Sequence, residues 1–315
     1  MSTKIVIGFC LLLCLNFSGS LIIQNPAVDL EEYNNSYEDE GLFSGLSASG
    51  ENSGAKINDL EPQNKEFLPK NFDARTRWPR CHSIGAVRFQ SNCNSDWAIA
   101  VAGVFSDRLW ISSKGNTAVN ISFEHILTCA RSDGCIEGEP EDAWDFLENN
   151  GAVTGRDYGY NKVCQPYEIA PCGIYGYPNC DKPIADTPTC RRNCTNRTYK
   201  RSYEADLYRT RRSYKTIPAK NESDIMNEIY YNGPVAVIFD GYKDLFRHVA
   251  GVYRKMSDEF VRRVSMKIIG WGYKGSLCYW LVVNSWGERW AEQGLIKIER
   301  ATLSTLFGNI TAGYA

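Results

Sequence analysis

Apolar positions between residues 96 and 315 fall into two regimes. Residues 96 to about 111 read DWAIAVAGVFSDRLWI, a long apolar helix with Ser95 as its predicted N-cap, and a shorter helix spans 141–149, stopped by Gly151. From about Tyr199 onward the pattern changes: one helix over 223–231 is followed by β-type runs at 235–239, 266–271, 279–283 and 295–298. The chain therefore reads as α+β, with a helical left half and a β-rich right half. No internal repeat is visible, and Trp286 and Trp290 read as core and wall aromatics of the right half.

The N-terminus departs from both regimes. Lys4, an apolar run over 5–15 and the small residues Ser18-Gly19-Ser20 predict a signal peptide over residues 1–20, too short to span a bilayer. Residues 21–67 combine acidic clusters with a Gly/Ser-rich stretch, which favours disorder. The full 315-residue chain has ample core material at 43% hydrophobic content, and its 35 basic and 37 acidic residues leave no nucleic-acid footprint. Ten cysteines beyond the signal predict disulfides and a secreted or endolysosomal location. Sequons at Asn34, Asn120, Asn193, Asn196, Asn221 and Asn309 read as glycan acceptors.

Several separated segments then fall in one order: Leu68-Pro69-Lys70-Asn71-Phe72-Asp73, Gln90-Ser91-Asn92-Cys93-Asn94-Ser95-Asp96-Trp97, Cys164-Gln165-Pro166-Tyr167, Asn232-Gly233-Pro234-Val235, Gly270-Trp271-Gly272 and Asn284-Ser285-Trp286. Over residues 68–315 the chain resembles the cathepsin B-like cysteine peptidases of the papain family. The resemblance implies a papain-like fold with a helical left domain, a β-barrel-like right domain and a cleft between them, and it implies no cofactor or metal. It further implies the pairs Cys93–Cys135, Cys129–Cys190, Cys164–Cys194 and Cys172–Cys180, with Cys81 and Cys278 left to pair together, stay free or link elsewhere. Residues 21–67 sit where such enzymes carry a propeptide, here a degenerate one.

In that family a thiolate attacks the scissile carbonyl, an imidazole serves it as base and acid, an asparagine orients the imidazole and a glutamine stabilises the oxyanion. The resemblance carries the orienting role to Asn284 and the oxyanion role to Gln90, but puts Asp96 at the nucleophile and Val264 at the base. Asp96, in a first helical turn, is stabilised as an anion and, without a proton donor at 264, makes a poor nucleophile. His82, His125 and His248 match no catalytic position. On the cleft walls Glu137 replaces one glycine of a pair of which Gly138 survives, Arg262 and Arg263 replace two glycines, and Trp286 is retained. The expectation is a pseudopeptidase: an inactive homologue whose arginine-edged cleft binds peptides, inhibitors or a partner protein, preferably through carboxylates unless the arginines pair with acids such as Asp258 and Glu259. A structural glycoprotein and residual peptidase activity are the alternatives.

Overall fold

The computed structural model describes residues 68–173, 176–305 and 307–315. The expected signal peptide (1–20) and propeptide-like segment (21–67) lie outside the described residues. In chain order the elements are β1 (Phe72–Asp73), α1 (Ala74–Arg77), α2 (Asp96–Ser112), α3 (Phe123–Ala130), α4 (Pro140–Asn149), β2 (Lys215–Pro218), α5 (Glu222–Asn232), β3 (Val235–Tyr242), α6 (Lys243–Phe246), β4 (Val252–Tyr253), β5 (Phe260–Lys274), β6 (Leu277–Val283), β7 (Leu295–Glu299), α7 (Arg300–Thr305) and β8 (Phe307–Ala312).

Helix α2 is apolar on nearly every side because it is buried on nearly every side, and it packs Trp97, Val101, Val104 and Phe105 into one core with α3 and α4. Ser95 stands at its N-cap position, but the expected cap is not made: the Ser95 hydroxyl instead pairs with the Tyr167 hydroxyl at 2.8 Å. Helix α3 is capped by Ser122, whose Oγ accepts the His125 N–H at 3.1 Å. Helix α4 starts at Pro140, where the missing N–H costs nothing, and ends before Gly151, whose φ of 76° suits glycine.

The right half is a sheet in the order β2-β8-β3-β5-β6-β7-β4, with β1 added on β5. It is open, with β2 and β4 as unjoined edges, so the expected barrel-like closure is corrected to an open sheet. The closing contact is replaced by packing, since β5 lies against α2 and the sheet buries Val237, Val264, Ile268, Trp280 and Ile298 in a second core. Strand β5 begins six residues before its apolar run because pairing with β3 continues from Phe239↔Val264 through Asp240↔Arg263 and Gly241↔Arg262 to Tyr242↔Phe260.

Buried charges join the halves. The Arg108 guanidinium of α2 donates to Glu228 of α5 at 2.9 Å and to the carbonyls of Gly233, Pro234 and Gly313, so all its buried donors but one are placed by these contacts. Lys267 of β5 pairs with Asp107 of α2 at 2.8 Å, both fully enclosed. All four implied disulfides form: Cys93–Cys135, Cys129–Cys190, Cys164–Cys194 and Cys172–Cys180. Cys81 and Cys278 do not pair with each other, and Cys81 is a buried free thiol.

Candidate functional site

The start of α2 faces the β5 strand across the cleft, and Asp96, the first residue of α2, is 4% exposed there. Its Oδ2 lies 2.6 Å from Nη1 of Arg262 and accepts from Nε2 of Gln90 at 3.3 Å. Its Oδ1 accepts the backbone N–H of Ser265 at 3.0 Å. A carboxylate taken out of water is stable only when its lone pairs are met this way, and a guanidinium partner is the strongest available. Both halves of the molecule therefore contribute to one charge-neutral knot at the centre of the cleft.

The neighbouring polar groups are drawn into it. Gln90 Nε2 donates to the Cys93 carbonyl at 2.7 Å as well as to Asp96, and its Oε1 accepts from the Ser285 hydroxyl at 2.7 Å. Asn284 accepts the Ser285 N–H on Oδ1 at 2.8 Å, while its buried Nδ2 has no hydrogen-bond partner among the described residues. Val264 is wholly buried in the right-half core. A Cβ added at Gly241 would stand 3.0 Å from its methyl and 3.2 Å from Phe246, so there is little slack around it.

The left wall is held by Arg131, which reaches Asp133 at 3.0 Å, Asp142 at 3.2 Å and Glu137 at 3.6 Å. Gly138 sits flat on Trp97, where any Cβ would come within 2.3 Å of the indole, which explains the glycine. Trp286 stacks on Phe246 at 4.9 Å and meets the buried Trp290 edge-on at 4.8 Å; neither tryptophan is among the residues that line the cleft cavity. Arg263 pairs with Glu139 at 2.5 Å. The arginines thus do pair with acids of the chain, but not with Asp258 and Glu259, which hold Lys255 and Lys243. The cleft leaves a cavity of about 550 Å³ floored by Asp96, Glu137, Gly138, Glu139, Arg262 and Arg263, with exposed Ile136, Phe260 and Val261 among its lining.

No cysteine or histidine is among the described residues that line this cavity. Cys93 is oxidised with Cys135. Burial, with Asp107 nearby, pushes the Cys81 thiol up to about 11, so it stays protonated and inert. His125 lies in the left half, its Nδ1 accepting the Val153 N–H and its Nε2 meeting the Tyr203 hydroxyl, and burial lowers it to about 4. No cluster of three His, Cys, Asp or Glu among the described residues is placed to hold a metal ion. No helix among them is long and apolar enough to cross a membrane.

Two participants were not legible beforehand. Ser265 acts through its backbone, which carries no residue-type signal. Glu139, next to the surviving Gly138, could have been noticed as a second acid beside Glu137, but its partner across the cleft could not.

An α2 start facing a β5 strand across a two-half cleft, with four disulfides in the implied pairing, is the architecture of a papain-type peptidase. A profile of the family described as "Papain family cysteine protease" matches residues 68–309, and the chain belongs to that family. It is 39% identical to "Cathepsin B-like cysteine proteinase 3" of Caenorhabditis elegans over 79% of this chain and 67% of that protein. It is 37% identical to "Cathepsin B-like cysteine proteinase" of Schistosoma japonicum over 74% of this chain and 69% of that one. Among solved structures it is similar to "proCathepsin B S9 from Trypanosoma congolense" with a TM-score of 0.65 and 30% identity, over 82% of this chain and 81% of that chain.

Proposed function

We propose that this cathepsin B-like homologue is a pseudopeptidase, which does not hydrolyse peptides, and that its cleft is a binding groove. The observation that carries the reading is the Asp96–Arg262 contact, in which the side chain at the expected nucleophile position is a carboxylate already held by a cation from the opposite wall. Gln90, the expected oxyanion donor, points its amide at that carboxylate, and the expected base position is the buried Val264. A carboxylate so neutralised neither attacks an amide nor takes up the thiolate's role, and valine offers no proton for the leaving amine.

The preference for carboxylate ligands does not follow from this geometry. Arg262 is engaged by Asp96 and Arg263 by Glu139, and Arg131 is shared by three acids. The lining carries Asp96, Glu137, Glu139, Glu141 and Asp142 against those three arginines. The ligand class we infer is a peptide or protein segment bearing Lys or Arg beside an apolar residue that meets Ile136, Phe260 or Val261. The ordinary sites of action of such a disulfide-rich chain are the secretory route and the endolysosomal lumen.

The test is labelling by an epoxide probe for papain-type thiolates together with turnover of cathepsin B peptide substrates by residues 68–315. Neither labelling nor turnover is expected. Labelling abolished by Cys93→Ala would overturn the assignment of Asp96, and turnover resistant to mutation of every unpaired cysteine would show another mechanism.

A further inference from the structure

Between the left-half core and strand β2 lies a short exposed connection. Tyr208 is fixed to the left-half core by two mutual hydrogen bonds of 2.9 Å with Ala152, and Lys215 opens β2 of the right-half sheet. The residues between them, Arg209-Thr210-Arg211-Arg212-Ser213-Tyr214, form neither helix nor strand. Arg209, Arg211, Arg212 and Ser213 are exposed, and none of these three arginines is in an ion pair among the described residues. The backbone of this connection is lightly held: the Arg211 N–H donates to the Tyr314 carbonyl at 3.0 Å. Outside it, the Arg212 guanidinium lies 3.7 Å over the Tyr314 ring and the Ser213 hydroxyl donates to Glu148 at 2.9 Å. Opening residues 209–213 therefore breaks a few surface contacts and leaves both cores intact, which is the condition for a folded chain to be nicked.

The other adjacent basic pairs of the chain are placed differently. Arg191-Arg192 is pinned between Cys190 and Cys194, both in disulfides, and Arg191 pairs with Glu168. In Lys200-Arg201 the arginine is held by Asp206 and the Tyr208 hydroxyl. Arg254 pairs with Glu299 and Lys255 with Asp258. Arg262-Arg263 belongs to β5 and is paired with β3 along its backbone. Arg211-Arg212 is also the one pair with a further basic residue, Arg209, three positions before its second member.

We propose that the Arg212–Ser213 bond is a processing site for a subtilisin-type proprotein convertase, a serine endopeptidase of the secretory route that cuts after paired basic residues. Such an enzyme reads arginine at the cut, a basic residue before it and arginine two positions further back, through acid-lined subsites that suit guanidinium forks. Arg212, Arg211 and Arg209 supply all three. The four disulfides fit a chain that passes through that oxidising route. In the step itself water adds across the Arg212–Ser213 amide and the C–N bond breaks. Arg212 keeps a new carboxylate, and Ser213 takes the proton as a new α-amine. None of the four disulfides crosses this point, but Arg108–Glu228, Lys267–Asp107 and the β1–β5 pairing do, so the product stays assembled. The two walls of the cleft then stand on separate chains, Asp96 and Glu139 on one and Arg262 and Arg263 on the other. The proposal is independent of whether the cleft is catalytic.

The test is incubation of the folded protein with a purified convertase of this class, read by reducing gel electrophoresis and N-terminal sequencing of the products. A single cut with Ser213 as the new N-terminus is expected, with native size-exclusion elution unchanged. Arg212→Gln should abolish the cut, and Arg209→Gln should slow it by about tenfold or more, the loss of one charge-assisted contact. Arg192→Gln, at the pair pinned by disulfides, should be cut at the wild-type rate. The wild-type products decide the matter even where a variant fails to fold. A folded chain that resists while the heat-unfolded chain is cut at Arg212, or a folded chain cut only at another basic pair, overturns the proposal. Equal rates for Arg209→Gln and the wild type overturn the assignment to this class of endopeptidase, since an enzyme reading a single arginine would not notice that change.

Discussion

A carboxylate at position 96 sets the state of every polar group around it. Asp96 and Arg262 neutralise each other at 2.6 Å with side chains 5% and 24% exposed, so removing either leaves a poorly solvated charge behind. Asp96→Ala and Arg262→Ala should each lower stability by about 2–4 kcal/mol, the cost of stranding one partner of a largely buried pair. The double variant should lose clearly less than the sum, as chemical denaturation of the four proteins in a double-mutant cycle would read. Additive losses would mean that the two groups do not interact. The same contact governs rescue of activity. Asp96→Cys alone should gain little turnover, since the thiol lacks an imidazole and faces an Arg262 deprived of its partner. Adding Val264→His should raise the rate by up to the ~10²–10⁴-fold typical of a proton-transferring group, less what the crowding at Gly241 and Phe246 removes. Equal rates for the single and double variants would refute this division of roles.

At the scale of elements, the long apolar helix and the strand runs were legible because burial on all sides or on one face leaves a direct mark in the sequence. Helix α2 was expected over 96 to about 111 and spans Asp96–Ser112. The early start of β5 was hidden because its first residues, Phe260 to Arg263, are exposed except for the half-buried Arg262 and polar in part, and only the ladder to β3 extends them. The family resemblance supplied the disulfides. Neither source could give the ion pairs, since a residue's partner 166 positions away is fixed by the packing of two halves. Helix α3 adds a pair of groups that titrate in opposite senses. Burial raises Glu124 to about 7, so its native carboxyl keeps a proton that the unfolded chain loses near 4.5; its contribution is lost as pH rises from 4.5 through 7. Burial holds His125 neutral down to about 4 while the unfolded chain charges near 6.5, so its contribution is lost as pH falls from 6.5 through 4. The two slopes, up to about 1.4 kcal/mol per pH unit each, oppose one another between 4.5 and 6.5. In urea unfolding the contributions of these two groups should therefore largely cancel there. Glu124→Gln should grow less stable on acidification and His125→Gln less stable on alkalinisation. Parallel pH profiles for the two variants would show that these groups do not control the window.

Across the whole molecule, the two halves are held by permanent links deep in the structure and by exchangeable ones at the cleft. Arg108–Glu228 and Lys267–Asp107 are enclosed, whereas Arg262–Asp96 and Arg263–Glu139 border the 550 Å³ cavity and are reachable by a ligand. A segment entering the cleft has to compete with the chain's own guanidiniums for the acids of the lining. Removing those guanidiniums should release Asp96 and Glu139 and leave Arg131 as the only cation facing five carboxylates among the described residues of the lining. Arg262→Gly/Arg263→Gly should consequently bind Lys- and Arg-bearing peptides more tightly than the wild type does, by roughly tenfold if one charge-assisted contact of about 1.5 kcal/mol is gained. Peptides rich in Asp and Glu should move the other way. The measurement is a peptide-library pull-down on both proteins with mass-spectrometric readout, followed by titration of the enriched sequences at low and high salt, because a gain of this origin shrinks as salt screens it. An unchanged set of peptides would remove the cleft from the binding hypothesis and leave the outer surface as the contact. A shift toward acidic peptides in the wild type would restore the arginines as ligand-binding groups and demote their internal pairs to a resting arrangement.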